Sequence, residues 1–308
     1  GQENYQPLFS PDGSEIAYVE NRHTLKILNM ASGKSRRIAG MFSRSDHDQY
    51  FRWSPDGKWL LLQYNQPGAG NQEVGLVAAD GKGQLQNITQ SGFNDEAPQW
   101  SSNGKQMIWK SDRNGLRGFS NSRRRQQDVY AMPFSGNGFR DRITKLTPSA
   151  AMLADALLIR NSLFSLVKAG PLYQLWKTGD TAMLASVKAE DCALQTDAAQ
   201  QHLFLLAGPR ILQLDTTGKI LHGITINGSM KVNLAAERRA MFRHVWRRTK
   251  EAFYTAGHHG ANWDSCRADY EKFLPDIGNN FELAELLSEM LGELNVSHSG
   301  ATGSAAQV

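Results

Sequence analysis

The chain has 308 residues, and because single hydrophobic cores usually stop growing near this length, its size favours two domains. Its 34 basic and 30 acidic residues give a formal charge of +4, which is too small and too evenly spread to indicate a nucleic acid partner. Two cysteines, Cys192 and Cys266, suggest neither a disulfide framework nor a cysteine metal site, and no apolar run approaches the length of a membrane span.

Internal repetition organises the first three quarters of the chain. The tetrapeptide Ser-Pro-Asp-Gly occurs at residues 10–13 and 54–57, and a weaker form, Ser-Ser-Asn-Gly, occurs at 101–104. The three starts are 44 and 47 residues apart, a period typical of a four-stranded propeller blade. Because Pro, Asp or Asn, and Gly suit a tight hairpin, each copy predicts a strand, a turn and a strand.

Apolar segments around each copy predict the remaining strands. In chain order the predicted strands are 7–9, 16–19, 25–28 and 35–38 in the first unit, 51–53, 59–62, 74–77 and 85–89 in the second, and 98–100, 107–109, 128–132 and 142–147 in the third. Two degenerate units follow, with strand pairs at 162–166 and 172–176 and at 202–206 and 211–215. We therefore predict four to five blades, which form either a small ring or the C-terminal part of a larger propeller.

A long insert, residues 113–127, interrupts the third unit. It contains five arginines: Arg113, Arg117, Arg123, Arg124 and Arg125. The insert either lines a pore, contacts an anionic or neighbouring partner, or is a solvated surface loop, and the sequence leaves these alternatives open.

The apolar period changes from strand to helix near residues 227–229. This change predicts a propeller domain over 1–228 and a helical domain over 229–308. The first helix begins near Leu234, and its predicted stripe is Leu234, Met241, Val245, Thr249 and Phe253, widened by Phe242 and Trp246. A second helix runs from Trp263 to about Leu274. A third runs from near Phe281 to near Asn295, with Leu283, Leu286, Leu287, Met290, Leu291 and Leu294 as its apolar positions.

Few residues of the helical domain suggest chemistry by spacing alone. His258 and His259 break the first helix, and without a metal-binding spacing we predict exposed turn residues and no metal site. Phosphate-binding glycine loops are absent, so no cofactor is predicted. Ser297 and His298 follow the third helix, but an adjacent pair is a weak signal because a base needs a nucleophile brought from elsewhere in the chain.

Residues 286–298, Leu-Leu-Ser-Glu-Met-Leu-Gly-Glu-Leu-Asn-Val-Ser-His, carry a resemblance. Together with Trp246, residues 253–254 and residues 263–264, they resemble the first helical core domain of tricorn-like serine proteases. The preceding repeats are similar to the propeller of that family. The resemblance covers nearly the whole chain, most strongly residues 231–300. It implies a multi-domain β and α fold, with a partial or complete β-propeller of WD40/TolB-like blades followed by a small α-helical domain.

The resemblance also implies roles for two residues. His298 would act as the general base toward a serine nucleophile, and Ser297 would belong to the relay that orients it. In the family the nucleophile, a glutamate and the oxyanion-hole donors lie in a second core domain, beyond a PDZ-like domain. We therefore expect this chain to be part of a larger serine peptidase and to be inactive alone.

The same resemblance implies peptide or unfolded protein substrates, positioned or gated by the propeller. It favours the bacterial periplasm over the cytoplasm and leaves open whether the protein forms a homo-oligomer. A second hypothesis is a non-catalytic propeller module that binds a protein or polysaccharide, with the helical part as a docking domain. A third is a pseudo-enzyme that kept the helical domain and lost the chemistry.

Overall fold

The computed structural model describes residues 4–40, 49–65, 71–117, 125–135, 139, 142–160, 162–180, 182–197, 200–215, 217, 219–297 and 299–303. The chain divides into two compact units, Gly1–Ile226 and Asn227–Val308. Within the described ranges, all the strands belong to the first unit and all the helices to the second.

The described residues of the first unit form five antiparallel sheets, each built from four consecutive strands. Blade 1 comprises β1 (Asn4–Phe9), β2 (Glu15–Glu20), β3 (Thr24–Asn29) and β4 (Ser35–Gly40). Blade 2 comprises β5 (Phe51–Trp53), β6 (Trp59–Asn65), β7 (Gln72–Ala78) and β8 (Gln86–Asn87). Blade 3 comprises β9 (Asp95–Trp100), β10 (Gln106–Ser111), β11 (Asp128–Pro133) and β12 (Thr144–Lys145).

The last two blades have the same order of strands. Blade 4 comprises β13 (Leu153–Ile159), β14 (Ser162–Ala169), β15 (Leu172–Lys177) and β16 (Ala185–Lys188). Blade 5 comprises β17 (Cys192–Thr196), β18 (Leu203–Ala207), β19 (Arg210–Leu214) and β20 (Ile220–Ile224). Five sequential four-stranded sheets confirm the predicted β-propeller blades.

The repeated tetrapeptide forms the turn between the first two strands of a blade. In blade 1 the Ser10 hydroxyl donates to the Asp12 carboxylate at 2.6 Å, and the Ser14 amide donates to the same carboxylate at 3.1 Å. The Gly13 amide closes the turn on the Ser10 carbonyl at 2.9 Å. Gly13 has a φ of 72°, which glycine adopts more readily than other residues, so the Ser, Asp and Gly of the motif each suit the turn.

Blades 2 and 3 repeat this turn, and in blade 3 Ser102 and Asn103 replace the proline and the aspartate. The Ser54 hydroxyl donates to Asp56 at 2.6 Å, and the Ser101 hydroxyl contacts the side-chain oxygen of Asn103 at 2.8 Å. Asn103 therefore replaces the aspartate without changing the hydrogen-bond pattern, because its side-chain oxygen accepts the same bonds.

A second repeated hydrogen-bond pattern joins the third and fourth strands of blades 2 and 3. The Thr89 hydroxyl donates to the buried Glu73 at 2.5 Å and accepts the amide of the residue after Glu73 at 3.0 Å. The Thr147 hydroxyl does the same with the buried Asp128, at 2.7 Å and 3.1 Å. These pairs satisfy buried polar groups where the fourth strand is only two residues long.

Consecutive blades pack face to face because alternate residues of a strand point to opposite faces. In β6, Leu60 and Leu62 pack in the cluster shared with blade 1, whereas Leu61 packs in the cluster shared with blade 3. In β10, Met107 packs toward blade 2 and Ile108 toward blade 4. A further cluster joins blades 4 and 5, and none of the clusters formed by the described residues joins blade 5 to blade 1.

The described part of the second unit has three α-helices: α1 (Leu234–Ala252), α2 (Trp263–Glu271) and α3 (Asn280–Gly292). Short 3-10 helices occur at His258–Gly260 and Leu274–Asp276. An asparagine caps the start of each α-helix by accepting a backbone N–H: Asn233, Asn262 and Asn279. None of the helices in the described part of the chain is long and apolar enough to span a bilayer.

Phe242, not Leu234, is central to the buried face of α1. Phe242 is fully buried in the helical core with Trp263 and Met290, whereas Leu234 is 51% exposed. The predicted stripe was therefore wrong at its first position. Leu234 is the first residue of α1, and the core packs against later turns of that helix.

Candidate functional site

The start of α3 is fixed by a reciprocal cap. The Asn279 side-chain oxygen accepts the amides of Phe281 and Glu282 at 2.9 Å and 3.0 Å. The Glu282 carboxylate in turn accepts the Gly278 amide at 2.6 Å. This arrangement resembles a capping box and satisfies N–H groups that a helix start leaves without intrahelical partners.

The other end of α3 leads into the predicted site. The Leu294 side chain is buried, and the Asn295 amide donates to the Gly292 carbonyl at 2.9 Å. Asn295 then adopts a φ of 50°, a left-handed conformation that asparagine tolerates better than most residues. The chain therefore turns sharply away from the helix two residues before Ser297.

Ser297 is exposed, and its neighbour His298 lies outside the described residues. The roles of both residues therefore stay predictions. Beyond them, the Ser288 hydroxyl accepts the Ala301 amide at 2.9 Å and donates to the Ala301 carbonyl at 3.2 Å. This contact ties the chain back to α3 four residues after Ser297.

The tail continues along α3 after this contact. A Cβ atom added to Gly303 would lie 2.7 Å from the Phe281 Cα atom, which shows how closely the tail packs. Gly303 is therefore packed closely against the start of α3, and Ala301 is held by Ser288.

The two adjacent histidines differ in environment. His258 is buried, with its ring parallel to those of Phe253 and Trp263 at centroid distances of 5.3 Å and 6.0 Å. The prediction of an exposed turn was wrong for His258, because the connection folds so that Phe253 and Trp263, five residues away on either side, enclose its ring. His259 is exposed, as predicted.

His259 contacts the end of α3, a contact that no sequence pattern predicts. Its Nδ1 atom lies 3.1 Å from the Leu294 carbonyl oxygen, and its Nε2 atom is hydrogen-bonded to the Tyr254 hydroxyl. Sequence spacing offered no signal for this contact, because His259 and Leu294 are 35 residues apart.

The titratable groups nearby do not form a second reactive centre. Burial, together with the carboxylate of Glu293 that accepts the Tyr270 hydroxyl at 2.8 Å, raises the pKa of Tyr270 to about 12. Burial also raises the pKa of the Cys266 thiol. Because the thiolate is the reactive form of cysteine, Cys266 is a poor nucleophile. Among the described residues, no group of three or more His, Cys, Asp or Glu residues is arranged to hold a metal ion.

The described arginines of the long insert face carboxylates of their own blade. Arg113 donates to the buried Asp95 at 3.2 Å, and Arg125 forms an ion pair with Glu96. Arg123 and Arg124 lie outside the described residues. The charges of Arg113 and Arg125 are thus balanced within blade 3.

A cavity of about 700 Å³ lies between the first strands of blades 2 to 5, and we call it the first-strand cavity. The Arg52 guanidinium lies 4.3 Å from the centre of the Tyr50 ring and donates to the Phe51 carbonyl at 2.9 Å. Across the cavity, the Asp155 carboxylate accepts two backbone amides, at 2.8 Å and 2.9 Å. Burial raises the pKa of the Tyr50 hydroxyl. The cavity lining therefore includes a cation, a carboxylate and aromatic rings.

The fold defines a β-propeller protein with a C-terminal helical domain, and comparison with known proteins agrees. The model of the TolB beta propeller domain matches residues 3–156, half of the chain, and that of the Tricorn protease C1 domain matches residues 234–292. The chain therefore belongs to the TolB β-propeller family, and its propeller followed by a C1 domain makes it tricorn-like.

Curated relatives match almost the full chain. It is 24% identical, over 95% of its length, to the tricorn protease homolog of Saccharolobus solfataricus, of which it covers 31%. It is also 24% identical, over 94% of its length, to a protein of Sulfurisphaera tokodaii named as a tricorn-like protease C-terminal subunit, of which it covers 38%. The chain thus spans about a third of the length of these relatives.

Among solved structures, the crystal structure of the tricorn protease has the same fold. It superposes with a TM-score of 0.67 over 98% of this chain and 34% of its own, at 13% sequence identity. This likeness concerns the order of blades and helices and does not extend to individual side chains.

Proposed function

We propose that this chain supplies the general base of a tricorn-like serine peptidase, with His298 as the base and Ser297 in its orienting relay. The observation that carries the proposal is the position of Ser297. It follows the C1 helices directly, is exposed, and lies between two points where the chain is tied to the helical core, at Leu294 and Ala301.

The chemistry assigned to His298 is proton transfer. Its neutral imidazole takes the proton of a serine hydroxyl as the oxygen attacks the scissile carbonyl, and then gives that proton to the departing amine. The Ser297 hydroxyl can accept or donate a hydrogen bond and so can help to orient the ring. In this proposal the nucleophile, a glutamate and the oxyanion donors come from a second core domain of the same polypeptide.

The propeller has a positioning role in this proposal. The first-strand cavity has room for part of an extended peptide, and its mixed polar and aromatic lining suits both backbone and side chains. The substrate class is therefore proposed to be peptides or unfolded protein.

Peptide hydrolysis by the full-length natural protein tests the proposal. His298→Ala should lower kcat by about 10²- to 10⁴-fold, the usual contribution of a general base. His222→Gln, at an exposed histidine of β20, is the matched control and should leave kcat unchanged. A fluorophosphonate probe should label the full-length protein, because such probes react with activated serines. Parent-level hydrolysis by His298→Ala would overturn the assignment.

The first-strand cavity favours one further candidate, a non-catalytic binding module. In that case the full-length protein should neither hydrolyse peptides nor react with a fluorophosphonate. Peptides should instead bind saturably, and Arg52→Gln should weaken that binding because it removes the cation of the cavity. Hydrolysis that depends on His298 would exclude this candidate.

A further inference from the structure

We infer that His259 is a positioning residue: its imidazole holds the turn that leads from α3 into Ser297 and His298. The inference rests on the function proposed for those two residues. It extends that proposal to a histidine 35 residues earlier than Leu294, in the connection between α1 and α2.

The hydrogen-bond chemistry fixes the direction of each bond. A carbonyl oxygen can only accept, so Nδ1 of His259 carries the proton that is donated to Leu294 at 3.1 Å. In the neutral ring, Nε2 then has a free lone pair and accepts the hydroxyl of Tyr254. The Leu294 carbonyl lies just beyond α3, where backbone carbonyls lack intrahelical partners, so the imidazole satisfies an acceptor at that end.

Packing holds the imidazole in this orientation. The rings of Phe253 and Tyr254 meet the His259 ring edge to face, with centroid distances of 5.5 Å and 5.3 Å and interplanar angles of 77° and 80°. Phe253 is half-buried in the helical core, so it connects the orientation of His259 to that core.

The bond between His259 and Leu294 joins two left-handed turns. His259 has a φ of 54°, and Asn295, directly after Leu294, has a φ of 50°. Non-glycine residues hold such conformations where the surrounding structure requires them, often at functional sites. The donated bond fixes each of these turns relative to the other.

The opposite side of the segment has an independent anchor. Ser288 holds Ala301 by two hydrogen bonds, so Ser297 lies between the His259 contact and the Ser288 contact. Removal of the His259 contact frees the segment that contains Ser297 at its α3 end, while the Ser288 contact still holds Ala301. Because displacement of a catalytic group by about 1 Å can cost about 100-fold in rate, this freedom should affect catalysis.

Amide hydrogen exchange on the 308-residue chain, measured by NMR, tests the inference with a matched pair of variants. Asparagine and aspartate both tolerate a positive φ, but only asparagine has a side-chain N–H to donate to Leu294. His259→Asp should therefore increase exchange at the Asn295 amide by about fivefold to tenfold relative to His259→Asn, the loss expected for one hydrogen bond. The Ala301 amide, held by Ser288, is the internal reference and should not change.

Equal exchange at Asn295 in the two variants would overturn the inference. Should His259→Asp fail to fold, His259→Gly replaces it, since glycine accepts the positive φ and lacks any donor. Exchange at Asn295 in His259→Gly that matches the parent would overturn the inference equally.

Activity of the full-length protein separates this inference from the proposed function. His259→Gly should lower kcat about tenfold with KM nearly unchanged, and His259→Asn should restore most of it. If His298→Ala keeps parent activity while the exchange result holds, the proposed function fails and the role of His259 in the turn stands. If His298→Ala is inactive and exchange at Asn295 does not respond, the inference fails and the proposed function stands.

Discussion

The indoles of Trp246 and Trp263 each donate a hydrogen bond to the backbone carbonyl of the other residue. Trp246 Nε1 lies 2.7 Å from the Trp263 oxygen, and Trp263 Nε1 lies 2.8 Å from the Trp246 oxygen. These two reciprocal hydrogen bonds fix the first residue of α2 against α1. The connection that contains His258 and His259 ends just before Trp263, so its C-terminal end is fixed as well.

The reciprocal bonds should contribute to the stability of the helical unit. Trp246→Phe and Trp263→Phe should each lower the free energy of unfolding by about 1–2 kcal/mol, because each leaves a carbonyl without its indole partner. Denaturant unfolding monitored by circular dichroism at 222 nm measures this change. Trp176→Phe, at a half-buried tryptophan of β15, is the control and should not alter the helical transition. Changes below about 0.3 kcal/mol in both variants would show that the reciprocal hydrogen bonds contribute little to the stability of the helical unit.

Substitutions on α1 test which of its residues is central to the core. Phe242→Ala should destabilise the helical unit by about 3–5 kcal/mol, because it opens a cavity at a fully buried position. Leu234→Ala should change stability by no more than about 0.5 kcal/mol, since the side chain is half exposed. Similar losses from both substitutions, measured by denaturant unfolding, would contradict the packing described.

The turn of blade 1 should give the propeller an acid-sensitive contribution to stability. Hydrogen bonds from the Ser10 hydroxyl and then from Ser14 lower the pKa of Asp12 from 3.8 to about 2. Since the folded state favours the ionised carboxylate, this contribution is complete above about pH 4 and is lost as the pH falls through about 2. Urea unfolding of the propeller between pH 4.5 and pH 2 measures the loss.

Asp12→Asn is the matched control, because Asn103 forms the same turn in blade 3. The variant should keep the turn and should lose the part of the acid-dependent fall in propeller stability that Asp12 contributes. The pKa of Asp197 in blade 5 is also lowered to about 2, chiefly by the amide of His202. Asp197 should therefore contribute part of the pH dependence of stability that remains in the variant. Parallel pH profiles for the parent and Asp12→Asn would exclude the contribution of Asp12.

The thiol of Cys192 should react slowly in the folded protein. Burial raises its pKa to about 11, so only about one thiol in a thousand is ionised at pH 8. Reaction with Ellman's reagent should accelerate steeply between pH 8 and pH 11 and should be fast at pH 8 once urea unfolds the propeller. Cys266→Ser isolates the Cys192 signal. Rapid folded-state reaction at pH 8 in that variant would contradict the burial of Cys192.

Local sequence predicted the features that depend on neighbouring residues. The three tetrapeptides predicted their turns, because Ser, Asp or Asn, and Gly make all the turn contacts within a few residues. The strands of blades 1 to 3 followed from the same period. In blades 4 and 5 the motif is absent, and β13, β16, β17 and β20 were not predicted because no turn marked their limits.

The sequence by itself determined the blade period, the three helices and the place of Ser297 after the third helix, since turn chemistry, caps and apolar spacing act over a few residues. Only the tertiary structure decided that Phe242 lies in the core, that His258 is enclosed between Phe253 and Trp263, and that His259 reaches Leu294. The contacts of Phe242 and His259 join residues that are distant in sequence, and the enclosure of His258 depends on how the ends of α1 and α2 are brought together, which no local pattern encodes.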